Sequence, residues 1–260
     1  MRKFTFITLM IIIGISSVIS SCDNFKNSSN NKENVSNLYK WELSDGVKWK
    51  TFGVIGEQVQ YEGETWKGIP HGIGYTYKVK KGNVWYYGEW KNGIPDGQGT
   101  RTWSNGDKCV CNFQKGNAHG KGTYYYDDGG KYTGKLKKGE KHGQGTFIWS
   151  DGTKYIGKWK NDKRNGKGVL TIENGKWKGN KYEGSFKNER FHGQGTYTWS
   201  DGRKFIGSWS NGKKTGWGEL FLPDGTIYDG RWKDDKIWNA KLYDKEGNVI
   251  KKIVKGKVKQ

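Results

Sequence analysis

The sequence is poor in apolar residues and nearly devoid of proline. Of its 260 residues 32% are hydrophobic, and 3 are Pro. An ordinary two-layer core uses about 45–50% apolar residues, so a conventional core is not favoured. The 41 Gly follow no Gly-X-Y period, which excludes collagen. No phosphate loop, G-x-S-x-G or H-E-x-x-H motif occurs, and no helical period is visible beyond the N-terminal segment.

Aromatic side chains and positive charge are abundant instead. The chain has 14 Trp, 15 Tyr and 10 Phe, and its formal net charge is +20. Disordered chains are poor in aromatic residues, so this chain is expected to fold. Because its buried surface must be mostly aromatic, composition favours an open, sheet-rich, single-layer fold. The charge favours anionic partners and disfavours self-association.

The N-terminus has the features of an export signal. Arg2 and Lys3 precede an uncharged run, Phe4 to Ile19, that is short for a membrane span. The segment Ile19-Ser20-Ser21-Cys22 resembles a bacterial lipobox; a plain signal peptide with a chance cysteine is the alternative. The resemblance implies removal of residues 1–21, with diacylglycerol and an N-acyl lipid on Cys22. We therefore expect a lipid-anchored protein of the bacterial cell envelope, periplasmic or surface-exposed. Residues 22–37 are rich in Asn, Ser and Lys and predict a flexible tether.

The remainder of the chain is built from one repeated unit. Each unit opens with an aromatic residue or its substitute, at Tyr61, Tyr86, Cys109, Tyr132, Tyr155, Tyr182, Phe205 and Tyr228, mostly 23 residues apart. We assign residues 61–248 to this array, 38–60 to an N-terminal cap or degenerate repeat, and 249–260 to a basic C-terminal tail or cap. Repeats at a fixed period dictate the fold.

Two stretches show the pattern most clearly: "YYGEWKNGIPDGQGTRTWSNG" and "YEGSFKNERFHGQGTYTWSDG". They resemble the MORN repeat. This resemblance, with the hairpin-type turn signals Asn92-Gly93 and Asp151-Gly152, predicts an all-β fold. We expect an elongated single-layer antiparallel meander of about eight hairpins. The resemblance also implies scaffolding, protein binding or membrane association, and phospholipid binding is proposed for the family.

Glycines recur among the aromatic residues of each unit. Period-two alternation places Tyr132, Gly134 and one face of the next strand together, including Gly143 and Gly145. A glycine in a strand packs nothing itself. We therefore interpret Gly134, Gly143 and Gly145 as holes that receive large rings from neighbouring strands.

The histidines and two cysteines occupy equivalent positions of the unit. His71, His119, His142 and His192 all precede the first glycine of Gly-x-Gly, where other units have Asp96, Asn165 or Thr215. Short polar residues stabilise turns, and this role is the interpretation we favour. A metal site on His119 and His142 is the alternative, but it needs a third ligand. Cys109 and Cys111 are interpreted as core substitutions or as a disulfide.

These features predict a non-enzymatic interaction scaffold for protein or anionic lipid. We expect no catalytic residue, metal or cofactor, apart from covalent lipid on Cys22, and no nucleic-acid partner. A purely structural envelope protein is the alternative, and an enzyme with an unrecognised site is a further one. The candidate anion-binding surface consists of Lys135, Lys137, Lys138, Lys141, Lys158, Lys160, Lys163, Arg164 and Lys167.

Overall fold

One antiparallel sheet contains all strands of the described residues. The structure, a computed structural model, describes residues 35–53, 58–77 and 85–259. The first ten strands are β1 Val35–Leu43, β2 Gly46–Lys50, β3 Gln60–Trp66, β4 Ile69–Tyr77, β5 Trp85–Lys91, β6 Ile94–Thr102, β7 Lys108–Gln114, β8 Asn117–Tyr125, β9 Lys131–Lys137 and β10 Glu140–Ile148. The others are β11 Lys154–Lys160, β12 Lys163–Thr171, β13 Lys181–Lys187, β14 Arg190–Thr198, β15 Lys204–Ser210, β16 Lys213–Phe221, β17 Ile227–Lys233, β18 Lys236–Tyr243, β19 Val249–Val254 and β20 Lys257–Lys259.

The strands follow one another through the sheet almost without exception. From β3 onward each strand pairs with the next, and at the N-terminal end β1 lies between β2 and β3. The predicted single-layer antiparallel meander is therefore confirmed. The expected tether, residues 22–37, overlaps β1 by three residues, because Val35, Ser36 and Asn37 pair with β3. A short 3₁₀ turn, Gly175–Trp177, accommodates the extra residues of the longest unit.

Each complete unit is a seven-residue strand, a two-residue turn and a nine-residue strand. In the turn of one unit, Lys138 and Gly139 both have positive φ, of 54° and 86°. Such turns suit the right-handed twist of hairpin strands. A longer loop joins the unit to the next one. There the Trp149 N–H donates to the Thr153 carbonyl, while the Asp151 carboxylate accepts the Thr153 N–H.

A row of glycines crosses most of the sheet, with one glycine on nearly every strand that it passes. Gly134 pairs with Gly122 and Gly145, and the row extends from Gly63 in β3 to Gly230 in β17, with Cys111 replacing one member. Tyr132 covers this row within its own hairpin. A Cβ added at Gly145 would lie 2.4 Å from the Tyr132 Oη and 2.5 Å from its Cε2. The prediction that these glycines receive a ring is confirmed for Gly134 and Gly145. For Gly145 the ring comes from the neighbouring strand β9, as predicted, whereas for Gly134 it comes from the same strand, two residues earlier.

The prediction for Gly143 is wrong. The register between β9 and β10 shifts between Lys141 and Gly145, and Gly143 lies in this bulge with φ of 62°. A Cβ added there would meet the Lys135 side chain and no ring. Residues with side chains avoid this left-handed conformation, so the first glycine of Gly-x-Gly is required by the backbone.

The tyrosine hydroxyl fastens the bulge to the hairpin. The Tyr132 hydroxyl donates to the Lys135 carbonyl at 2.8 Å and hydrogen-bonds the backbone of His142. Burial raises the pKa of Tyr132, although the hydrogen bond with the His142 backbone acts to lower it. Equivalent bonds to the carbonyl three residues on are made by Tyr86, Tyr155 and Tyr182. Each such ring thus satisfies backbone groups that the bulge removes from the strand ladder.

Aromatic rings cover most of this side of the sheet, which we call the aromatic face. Trp159 packs edge-on against Tyr155 and Tyr132, with ring centroids 5.1 and 5.6 Å apart. Its indole N–H donates to the Gly145 carbonyl at 3.2 Å. Edge-to-face aromatic pairs are favourable beyond their buried area. The rings therefore supply the core that a single-layer sheet otherwise lacks.

Candidate interaction surface

The opposite side of the sheet carries many exposed lysines, and we call it the lysine face. In β9, Tyr132, Gly134 and Leu136 belong to the aromatic face, so Lys131, Thr133, Lys135 and Lys137 belong to the lysine face. Lys131, Lys135 and Lys137 are exposed. The same alternation in the other seven-residue strands separates the structural core from the charged surface.

Five of these lysines stand directly before the ring position of five consecutive units. We call them the lysine ladder: Lys108, Lys131, Lys154, Lys181 and Lys204. They lie at one register position of β7, β9, β11, β13 and β15. The sequence-based prediction missed the ladder, although the recurring Lys before the opening residue of each unit was a visible signal.

Uncharged residues separate the rungs of the ladder along its row. The row reads Thr102, Lys108, Tyr125, Lys131, Ile148, Lys154, Thr171, Lys181, Thr198, Lys204 and Phe221. Two rungs contact neighbouring rings: Lys131 Nζ lies 5.3 Å from the Tyr125 ring centroid and Lys204 Nζ 4.6 Å from that of Phe221. The row therefore combines positive charge with aromatic and β-branched surface.

Seven of the nine predicted anion-binding residues are exposed. Lys135, Lys158 and Lys167 lie on the lysine face near the centre of the strands. The other four are at the hairpin end: Lys137, Lys138, Lys160 and Lys163. The predicted anion-binding surface is thus divided into two regions, one near the centre of the strands and one at the hairpin end.

The remaining two predicted residues, Lys141 and Arg164, make internal contacts. Lys141 Nζ lies 3.1 Å from an Asp162 carboxylate oxygen and 3.2 Å from the Tyr126 hydroxyl. Burial acts to lower the Lys141 pKa, but Tyr126 and Asp162 outweigh burial and the pKa is raised. Arg164 Nε lies 2.7 Å from a Glu189 oxygen.

These two pairs connect one unit to the turn of the next. The Lys141 N–H donates to Asp162 at 2.9 Å, and the Lys214 N–H donates likewise to Asp235. Where the turn has glycine, as at Gly139, the glycine N–H donates to the carbonyl of an uncharged residue, Ala118. The acidic turn residue therefore accompanies a cation on the aromatic face, which explains why Asp162 replaces a loop glycine.

A shallow groove runs along the glycine row on the lysine face. It has a volume of 550 Å³, and its floor includes Gly157, Gly168, Gly184 and Gly195. Ile156 and Val169 border one side, and Lys167 lies at the other. Its open shape and mixed lining do not resemble an enclosed catalytic cleft.

The histidines lie in strands beside the bulges and not at turns, and their predicted turn-stabilising role stays a prediction. His119 pairs with Asn112 and His192 with Ser185, each beside a register shift. At the equivalent position Asp96 accepts the N–H of Lys115 in the next turn. Across the described residues, no three His, Cys, Asp or Glu side chains are grouped as metal ligands.

Cys109 and Cys111 form a disulfide with Cα atoms 5.6 Å apart, so the second of the two interpretations applies. Cys109 stands at the ring position and Cys111 in the glycine row, opposite Gly99 and Gly122. The ring and the hole beneath it have been replaced together. Cys22, the predicted lipid-attachment residue, lies outside the described residues. Within those residues there is no helix of the length and apolarity needed to cross a bilayer.

The sequence matches one known repeat family over just over half of the chain. The pattern described as MORN repeat matches residues 86–108, 112–131, 132–154, 155–180, 182–202 and 205–227. The first and last predicted units lie outside these segments, although their strands continue the sheet. No curated protein sequence matches the chain.

Two solved structures show limited similarity. One is the TCP domain of SAS-4 from Drosophila melanogaster, in complex with a proline-rich motif of Ana2. It is 12% identical, with 63% of this chain and 83% of that chain covered and a TM-score of 0.38. The other is the TCP10 domain of CPAP from Danio rerio, in complex with a peptide of STIL. It is 11% identical, with coverages of 84% and 99% and a TM-score of 0.40. At these TM-scores, neither structure bears on the function of this chain.

Proposed function

The chain belongs to the MORN-repeat family, and from this premise we propose that it is a membrane-tethered interaction scaffold for an anionic partner. Repeat arrays offer an extended surface and have no catalytic cleft by default. The partner is an acidic protein or anionic phospholipid. The proposed scaffold is non-enzymatic and uses no cofactor beyond the covalent lipid.

The separation of the two faces supports this proposal most directly. The aromatic face uses its rings, and the cations Lys141 and Arg164, to hold the hairpins together. The exposed lysines of the opposite face are not needed for that packing. Near an anionic surface each such residue contributes about 1 kcal/mol. A purely structural role gives no reason for placing cations at one register position of five successive units.

The membrane part of the proposal rests on the N-terminal sequence. Lipid on Cys22 would anchor the chain stably, since two or more acyl chains are sufficient. The intervening Asn/Ser/Lys-rich segment would span roughly 20–25 Å if it behaves as a flexible linker. The array would then lie beside the membrane of a bacterial cell envelope, with its lysine face accessible.

Lipid attachment can be tested in a bacterial host with labelled palmitate. The wild-type chain is expected to incorporate label and to sediment with membranes. Cys22→Ala is expected to do neither, because the acceptor thiol is absent. Equal labelling of both proteins would contradict the anchor.

Binding is tested with residues 22–260 carrying Cys22→Ala and without detergent, because acyl chains would insert into any vesicle and detergent would dissolve the vesicles. The probes are polyglutamate, phosphatidylglycerol vesicles and phosphatidylcholine vesicles, each at low and physiological salt. The proposal predicts binding of at least one anionic probe, weakened by salt, and no binding of phosphatidylcholine. Failure of both anionic probes would contradict it and leave a purely structural role.

A further inference from the structure

The lysine ladder differs from the rest of the basic surface in its regularity. Its five members lie on alternate strands from β7 to β15, including the pair Lys154 and Lys181 on either side of the longest unit. The extra residues of that unit are accommodated in the loop at Gly175–Trp177 and do not alter the strand register. Strands are about 4.8 Å apart, so consecutive rungs are spaced by about 9–10 Å.

This spacing fits an extended polypeptide that runs across the strands. In the extended polyproline II conformation such a chain rises about 3.1 Å per residue and completes one turn in three residues, so side chains three residues apart lie on one side and about 9 Å apart, which is one step of the ladder. We propose that the lysine ladder is the docking site of an extended acidic polypeptide segment, with about one carboxylate group for each repeat. This inference rests on the proposed function and specifies the class of partner.

The ladder is electrostatically available to such a segment. Within the described part of the chain, Lys181 is the one rung with an ion pair, at 3.0 Å from Glu183. The loops beside the row contain acidic residues, but Asp151 and Asp201 accept backbone N–H groups of their own turns. The positions between rungs are uncharged and include Tyr125 and Ile148, and Phe221 lies beside the last rung, so all three offer apolar contact.

The hairpin-end lysines form a less suitable row. Gln114 and Ser210 replace the lysine in two units, and Glu140 lies opposite Lys137. The hairpin-end row therefore has units without a lysine and an acidic residue opposite one of its lysines, whereas all five units of the ladder have a lysine and the residues opposite them are uncharged.

A flat membrane fits the ladder less well than a flexible chain. Adjacent strands of a sheet are rotated by about 20° relative to one another, so the rungs turn about the axis of the array. A planar lipid surface can approach a few neighbouring rungs at once, whereas an extended chain can follow all five. Binding of an anionic vesicle is therefore an outcome of the test and not the proposal.

The test compares two triple variants that change the same charge on the same strands. The ladder variant is Lys131→Gln, Lys154→Gln and Lys181→Gln. The control variant replaces the lysine six residues later on the same face of each strand: Lys137→Gln, Lys160→Gln and Lys187→Gln. Both are made in the unlipidated chain described above, residues 22–260 with Cys22→Ala, and peptide binding is measured by fluorescence anisotropy.

Two labelled peptides of identical composition serve as probes. One has a glutamate at every third residue, and in the other the glutamates are contiguous. The ladder variant is expected to bind the spaced peptide about tenfold more weakly than wild type, because exposed ion pairs contribute about two- to threefold each. The control variant should lose about twofold or less. Equal losses in the two variants, or equal affinity of wild type for the two peptides, would overturn the proposal.

A variant that increases affinity guards against effects of misfolding. Glu183→Gln frees Lys181 from its ion pair and should tighten binding of the spaced peptide by about twofold. Unchanged affinity would remove Lys181 from the site. If phosphatidylglycerol vesicles bind and both triple variants weaken them equally, the proposed function stands and the ladder proposal fails. If no anionic probe binds wild type, both fail.

Discussion

The Tyr132 ring should determine whether Gly145 tolerates a side chain. A Cβ at Gly145 would lie 2.4, 2.5 and 2.6 Å from the Oη, Cε2 and Cζ of that ring. Ordinary contacts are much longer, and the ring is held by its hydrogen bond to the Lys135 carbonyl. We expect Gly145→Ala to destabilise the array by about 2 kcal/mol, as overpacking does elsewhere.

Removal of the ring should reverse the sign of this effect. Tyr132→Leu lacks the three atoms that the new methyl group would meet. Tyr132→Leu alone should lower the free energy of unfolding by about 2–3 kcal/mol, because it leaves a cavity. In that background Gly145→Ala should stabilise by about 0.5–1 kcal/mol, since alanine restricts the unfolded chain more than glycine does. The coupling is measured by urea denaturation of the four proteins of the cycle.

Gly134 provides the matched control within the same hairpin. A Cβ there would lie 2.5 Å from the Gly145 Cα and 2.7 Å from the Gln144 carbonyl oxygen, both backbone atoms. Gly134→Ala should therefore be destabilising with the Tyr132 ring present and also in the Tyr132→Leu variant. If Gly145→Ala costs as much in the Tyr132→Leu variant as in the wild type, the ring is not the reason for the glycine.

Three further predictions concern the aromatic face. Tyr132→Phe should lower the free energy of unfolding by about 1–2 kcal/mol in urea denaturation, because it leaves the backbone groups at the bulge unpaired, whereas Phe205→Tyr should raise it. A stabilising Tyr132→Phe or a destabilising Phe205→Tyr would contradict the role of the hydroxyl. Cys109→Tyr and Cys111→Gly should each destabilise the oxidised chain, while the double variant should recover most of the loss by restoring ring and hole; additive costs in the same assay would argue against a coupled replacement. Burial raises the pKa of Tyr155 to about 12, from about 10 in an unfolded chain. The resulting stability is complete below about pH 10 and is lost as the pH rises toward 12, so tyrosinate absorbance and loss of circular dichroism should develop together. Ionisation of the buried tyrosines with the sheet intact would contradict this.

Much of the fold follows from local chemistry that the sequence displays. Paired residues such as Asn92-Gly93 predict tight turns, and period-two alternation predicts which residues share a face. These two signals are sufficient to predict the antiparallel meander and the position of an aromatic ring over Gly145. The bulge was not predictable in the same way. Gly143 and Gly145 look equivalent in the sequence, but one is required by φ and the other by space.

The surface was harder to predict than the core. Counting basic residues loop by loop grouped Lys141 and Arg164 with exposed lysines, because their acidic partners lie in the following unit. The ladder depends on register and not on local density. It becomes visible when the units are aligned by their opening residue, as at Lys131 and Lys154.

Lysine footprinting of the full chain, alone and with the spaced acidic peptide, tests the central claim most directly. Acetylation rates are read for each lysine by mass spectrometry. In the free chain the ladder lysines, such as Lys131 and Lys154, should react quickly, whereas the packed Lys141 should react slowly. The bound peptide should protect the ladder and leave Lys137 unchanged. Uniform protection of all exposed lysines, or rapid acetylation of Lys141, would contradict the division into a structural aromatic face and a binding lysine face.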